Sequence, residues 1–118
     1  MEPLVVLDVD YVRDSFVLVL ANVGTGMAYD PRVHFSAPLV GAGGTTKVSE
    51  LPLWSTLTML RPGKAIEVFF DTAPLALADG NSPQFAATVT YSDGAGERFK
   101  HRYVHSLGAY SDLPRLES

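Results

Sequence analysis

Short runs of alternating apolar and polar residues, separated by Gly, Pro, Asp and Asn, dominate the chain. Period-two alternation of this kind is the mark of half-buried β-strands. A first strand is expected at Leu4–Val12, where Val5, Leu7, Val9 and Tyr11 alternate with Asp8 and Asp10. Arg13 and Asp14 make a turn into a second strand, Phe16–Ala21, which is apolar on both faces and therefore expected at the centre of its sheet. A third strand, Ala28–Phe35, contains Pro31, which cannot donate to a ladder and so predicts an edge or a bulge. A Gly- and Thr-rich loop, Ser36–Glu50, leads to a fourth strand within Leu53–Leu60. The turn Arg61-Pro62-Gly63-Lys64 has Pro62 and Gly63 at its two central positions, as a type II turn prefers. A fifth strand follows at Ala65–Asp71, then a long connection, Thr72–Pro83, whose Leu75–Ala78 suits one helical turn. The sixth strand, Gln84–Ser92, and the seventh, Arg98–Leu107, are joined by a hairpin containing Asp93 and Gly94.

Seven short strands without an amphipathic helix predict an all-β chain, an antiparallel immunoglobulin-like β-sandwich over residues 1–110. Residues 111–118 are expected to form a frayed C-terminal tail, with Tyr110 a candidate to dock.

Composition narrows the function classes. At 118 residues and 47% hydrophobic content the chain fits one domain with its own core. It has no cysteine, which removes disulfide scaffolds, thiolate metal sites and cysteine nucleophiles. A net charge of −4 argues against a sequence-independent nucleic-acid binder. The N-terminal stretch lacks a basic leader and a small-residue cleavage site, and Phe16–Ala21, the longest apolar run, is far short of the ~20 residues a spanning helix needs. The chain as given is therefore expected to be cytoplasmic, without direct membrane insertion.

Three segments resemble bacterial immunoglobulin-like domains of the CARDB (cell-adhesion-related) type. Asn22-Val23-Gly24-Thr25-Gly26-Met27-Ala28, followed by Val33 and Phe35, is similar to their strand-turn-strand. Leu60-Arg61-Pro62-Gly63 is similar to the turn before the fifth strand, and Val89–Asp93 with Gly96 to the final hairpin. The resemblance implies a sandwich whose structural turns use Asn22, Gly24, Gly26, Pro62, Gly63, Asp93 and Gly94, and a bacterial or phage setting. It implies no chemistry.

Candidate chemistry is sparse. His101 and His105 lie four apart on a strand, hence roughly 13 Å from each other, too far for one ion. The favoured reading is histidines lining the core edge; His34 sits near a strand end. Asp8 and Asp10 share a face about 7 Å apart and, with Asp14, offer hard oxygen ligands, but the spacing is not that of an EF-hand. An acidic solvated edge strand is the simpler reading. Arg98, Lys100 and Arg102 form a basic row on the last strand. If the first and last strands are neighbours, exposed ion pairs between the two rows are expected. Gly41–Gly44 fails the phosphate-loop pattern, and Ser15, Ser36, Ser49 and Ser55 sit in no nucleophile elbow. No catalytic, cofactor-binding or metal residue is assigned.

Large aromatics remain. Strand parity turns Phe69 outward beside Glu67, with Ile66, Val68 and Phe70 inward, and it turns Trp54 outward or over a sheet edge. Trp54 and Phe69 are thus the candidate protein-interface anchors, the equal alternative being that a loop such as Thr72–Pro83 covers them; the loops around Thr25, Gly41–Gly44 and Asp79–Asn81 come next. The expected function is a non-enzymatic protein-binding or assembly module using a sheet face or an edge strand. The alternatives are a self-associating subunit of a phage or cell-surface assembly, and a small calcium-binding or hydrolytic domain.

Overall fold

A computed structural model of the chain describes residues 1–41, 44–72 and 84–107. Nine strands are present among them: β1 (Val5–Val12), β2 (Ser15–Asn22), β3 (Ala28–Phe35), β4 (Val40–Gly41), β5 (Thr46–Lys47), β6 (Met59–Leu60), β7 (Ala65–Thr72), β8 (Gln84–Ser92) and β9 (Arg98–Ser106). A 3₁₀ turn at Val48–Glu50 and one short helix, α1 (Leu53–Thr56), separate β5 from β6. One antiparallel sheet has the order β1-β2-β7, a second the order β6-β3-β8-β9, and β4 pairs β5 in a small hairpin. The order is that of an immunoglobulin-like sandwich whose short fourth strand lies beside the third.

The alternation in sequence fixes which side chains fill the space between the sheets. Val5, Leu7 and Val9 of β1 and Phe16, Leu18 and Leu20 of β2 meet Phe85, Ala87, Val89 and Tyr91 of β8 in one buried cluster. Ile66 and Val68 of β7 and Phe99 and Tyr103 of β9 pack against it partly buried. Without a disulfide, this apolar area holds the layers together at roughly 25 cal/mol per Å² buried.

Local signals act where expected. β2 is central, with β1 and β7 on either side. The β3–β8 register shifts between Tyr29 and Arg32, so Pro31 sits in a bulge and no ladder bond is asked of it. Gly63, at φ +81°, completes the turn in which the Lys64 N–H donates to the Arg61 carbonyl. The Asp93 carboxylate accepts the N–H groups of Ala95 and Glu97 and closes the last hairpin.

The fourth strand is corrected. Only Met59–Leu60 is extended; Leu53–Thr56 is a helical turn started at Pro52, whose fixed φ of −56° suits that position. The Pro52 carbonyl accepts from the Thr56 N–H and hydroxyl, and this local bonding outweighs a short apolar alternation that fits either structure. The expected helical turn at Leu75–Ala78 and the docking of Tyr110 fall outside the described residues.

One turn carries strain. Arg13 and Asp14 have φ of 49° and 62°, the two positive values a two-residue β1–β2 hairpin requires. Asparagine tolerates that region better than arginine, so Arg13→Asn is expected to raise unfolding free energy by about 0.5–1 kcal/mol in urea titrations. An unchanged or lower midpoint would contradict the strain.

Candidate functional site

The outer face of the first sheet is built from three registered rows. Val6, Ala21 and Ala65 form one; Asp8, Val19 and Glu67 the next; Asp10, Val17 and Phe69 the third. These positions alternate with the core-facing ones, so β2 contributes Ser15, Val17, Val19 and Ala21 to this side. Phe69 is 50% exposed and Val12, beyond the third row, 47%. The result is an apolar stripe edged by the exposed carboxylates of Asp8, Asp10 and Glu67, with no lysine or arginine among these strand positions.

The outer face of the second sheet has the opposite character. Its rows are Tyr29, Ser92 and Arg98; Arg32, Thr90 and Lys100; and His34, Thr88 and Arg102. Arg32 is held in place, its Nη1 donating to the carbonyls of Leu57 (2.7 Å) and Pro31 (3.0 Å) and its Nη2 3.9 Å from Asp30. A shallow groove of about 430 Å³ crosses this face, lined by Arg32, Trp54, Thr88, Thr90 and Lys100 among others.

Trp54, expected to face out or to cover a sheet edge, is buried at 3% exposure. Its indole Nε1 donates to the Val48 carbonyl at 2.7 Å, and its ring meets Phe35 edge-on with centroids 5.3 Å apart. The outward placement assumed strand parity across residues 53–60, and α1 removes that parity. Trp54 is a core residue, and only Phe69 of the two proposed anchors is at the surface. Of the six phenylalanines, Phe16, Phe70 and Phe85 are buried and Phe35 and Phe99 partly so.

The two charged rows do not form the expected ion pairs. Among the described residues, neither Asp8 nor Asp10 reaches Arg98, Lys100 or Arg102. β1 and β9 do lie side by side, but in different sheets, and they touch through inward side chains. The Tyr103 hydroxyl donates to the Val5 carbonyl (3.1 Å) and His105 Nε2 to the Leu7 carbonyl (2.8 Å). Their charged faces therefore point away from each other, on opposite sides of the sandwich. The side chains of β9 also cap carbonyls along the open edge of β1, where another strand would otherwise pair.

The remaining candidates resolve into structure. His101 Nε2 shares a hydrogen bond with the Tyr91 hydroxyl at 3.0 Å. The Asp8 carboxylate accepts the Val9 N–H, and Asp14 accepts the Tyr11 hydroxyl at 2.9 Å. Among the described residues no three His, Asp or Glu side chains converge as metal ligands. A cavity of about 560 Å³ lies beside His34, Ser36, Ser49 and Glu50. The Ser36 hydroxyl accepts the Ala86 N–H and the Ser49 hydroxyl the Leu39 N–H. Residues 42–43 and the Asp79–Asn81 loop fall outside the described residues.

Asn22 is the residue whose weight the sequence understated. Buried at 1% exposure, it uses both ends of its amide: Oδ1 accepts from the N–H of Leu4 (3.1 Å) and Gly24 (3.0 Å), and Nδ2 donates to the carbonyls of Gly26 (2.8 Å) and Leu60 (2.9 Å). Gly24 is required beside it, since a Cβ there would collide with the backbone of Glu2, Pro3 and Leu4.

Burial raises the pKa of Tyr103 above 10.0, with the nearby Tyr91 adding to the effect. Burial likewise raises Tyr91, partly offset by a backbone hydrogen bond at Val5 and reinforced by Glu2. The neutral phenols are favoured in the folded state, so their contribution is complete below the unfolded value and is lost as pH rises through the folded one. Urea midpoints should fall as pH rises above the ordinary phenol value of 10.0, and Tyr103→Phe should flatten that fall. Parallel pH profiles for the variant and the native chain would contradict the assignment.

Among the described residues no helix is long and apolar enough to cross a membrane. Comparison with curated proteins and with solved structures finds no match to this chain. A family model described as a domain of unknown function, DUF8453, matches residues 1–111, and the chain belongs to that family.

Proposed function

We propose that this chain is a non-enzymatic protein-binding and assembly module working through the outer face of β1, β2 and β7. The observation that carries the reading is Phe69, half exposed between Val17 and Glu67 in a fold that buries or half-buries every other phenylalanine. Full burial of such a side chain is worth about 1.5–3 kcal/mol, part of which a partner recovers by covering it. Val17 and Val19 extend the contact along the strand, and Asp8, Asp10 and Glu67 give it a rim that selects a basic partner surface.

A photo-reactive amino acid in place of Phe69, introduced in the native host, tests this. A discrete protein adduct is expected from position 69 and not from position 61, in the exposed turn before β7. No adduct from position 69, or the same pattern from both positions, would remove the reading.

A further inference from the structure

We propose that the surface covering the first sheet's outer face is the second sheet's outer face of another copy of this chain, so that copies stack head to tail. This rests on the reading of the first face as an interaction surface and names its partner. Charge is the first argument. The registered outer rows place Asp8, Asp10 and Glu67 on one face and Arg32, Arg98, Lys100 and Arg102 on the other. Four of the nine Lys and Arg residues of a net-acidic chain are thus gathered on one side. Opposed faces of this kind attract at a distance and orient the encounter.

Spacing is the second argument. Phe69 has Asp10 two strands away in its own row, about 10 Å off, and Glu67 about 7 Å along β7. On the second face Arg32 and Lys100 flank Thr90 across a similar span of about 10 Å. The groove between them, about 430 Å³ and floored in part by Trp54, has room for a phenyl ring. Seating Phe69 beside the groove leaves Asp10 and Glu67 roughly 12 Å apart, a span comparable with that of the two cations and within reach of their long side chains. Val104, 63% exposed on β9, extends the apolar contact.

Because the two faces lie on opposite sides of the sandwich, the contact is heterologous and does not close on itself. A face three strands wide and eight residues long covers roughly 400 Å² per copy, from ~4.8 Å between strands and ~3.3 Å per residue. Twice that, roughly 800 Å², lies below the ~1,200 Å² at which stable specific interfaces begin, so each contact is weak and sensitive to salt.

Sedimentation equilibrium of the purified chain, up to about 1 mM protein at low and high salt, tests the proposal. The average mass should climb with concentration past that of a dimer and fall at high salt. Phe69→Arg and the double variant Lys100→Ser, Arg102→Ser should each stay monomeric with unchanged circular dichroism, since all three positions are exposed. Mixed in equal amounts they should form one-to-one dimers, one supplying the intact second face and the other the intact first. A native chain that is monomeric throughout overturns the stacking, as does a mixture that fails to pair while the native chain associates. The position-69 probe separates the two claims: capture of a different protein leaves the interaction face standing without self-stacking, and no adduct removes both.

Discussion

Asn22→Ala is expected to lower the unfolding free energy by about 3–5 kcal/mol, because it takes the partner from two buried and two partly buried backbone groups, which cost about 1–3 kcal/mol each when unpaired out of water, with partial recovery by solvent and relaxation. The four belong to three separate segments: Leu4 before β1, Gly24 and Gly26 in the β2–β3 loop, and Leu60 in β6 of the other sheet. The Asn22 backbone also accepts from the Gly63 N–H at 2.9 Å, so one residue ties the N-terminal segment, two loops and both layers. A domain with a typical margin of about 5–15 kcal/mol would be left with little reserve. Asn22→Asp should be at least as harmful. It keeps the two acceptor contacts but turns a carboxylate oxygen toward the Gly26 and Leu60 carbonyls. Urea unfolding followed by far-ultraviolet circular dichroism measures both; a loss under about 1 kcal/mol for the alanine variant would show that the amide is not the tie described here.

Trp54→Ala is the second large effect, about 3–5 kcal/mol, from the cavity left beside Phe35 and the loss of the indole bond to the Val48 carbonyl, which keeps only the longer one from the Leu51 N–H (3.3 Å). Phe69→Ala, at a half-exposed position, should cost less than about 1 kcal/mol. The contrast is between two aromatics, one closing the core and one left to solvent. The chain has a single tryptophan, so its native emission should be blue-shifted and should move to the red on unfolding. Equal losses for the two variants, or red native emission, would reverse the assignment of inside and outside.

Much of the fold was legible because β1 and β9 carry period-two alternation and β2 reads as a continuous apolar run between turn residues, and in an alternating strand a one-residue slip would put its whole apolar set in water. That is why Phe69 could be placed outside and Ile66, Val68 and Phe70 inside from sequence. Residues 53–60 were misread for a physical reason. Four apolar-polar positions fit a helical turn as well as a strand, and Pro52 with its carbonyl bonded to Thr56 decides the matter locally. The face asymmetry was half legible. The acidic and basic rows are visible along β1 and β9, but that they point away from each other depends on which sheet each strand joins. Arg32 and the groove beside it were not legible, since α1 and β3 are brought together only by the fold.

The central claim is that the two outer faces are the working surfaces of the molecule. Amide-resolved nuclear magnetic resonance spectra of the labelled chain across a concentration series test it most directly. Resonances of Val17, Val19, Glu67 and Phe69 on one face and of Arg32, Thr90 and Lys100 on the other are expected to shift together along one binding curve, and the core amides to stay still. Spectra that superimpose at every concentration, or shifts confined to the free edge of β9, would contradict it.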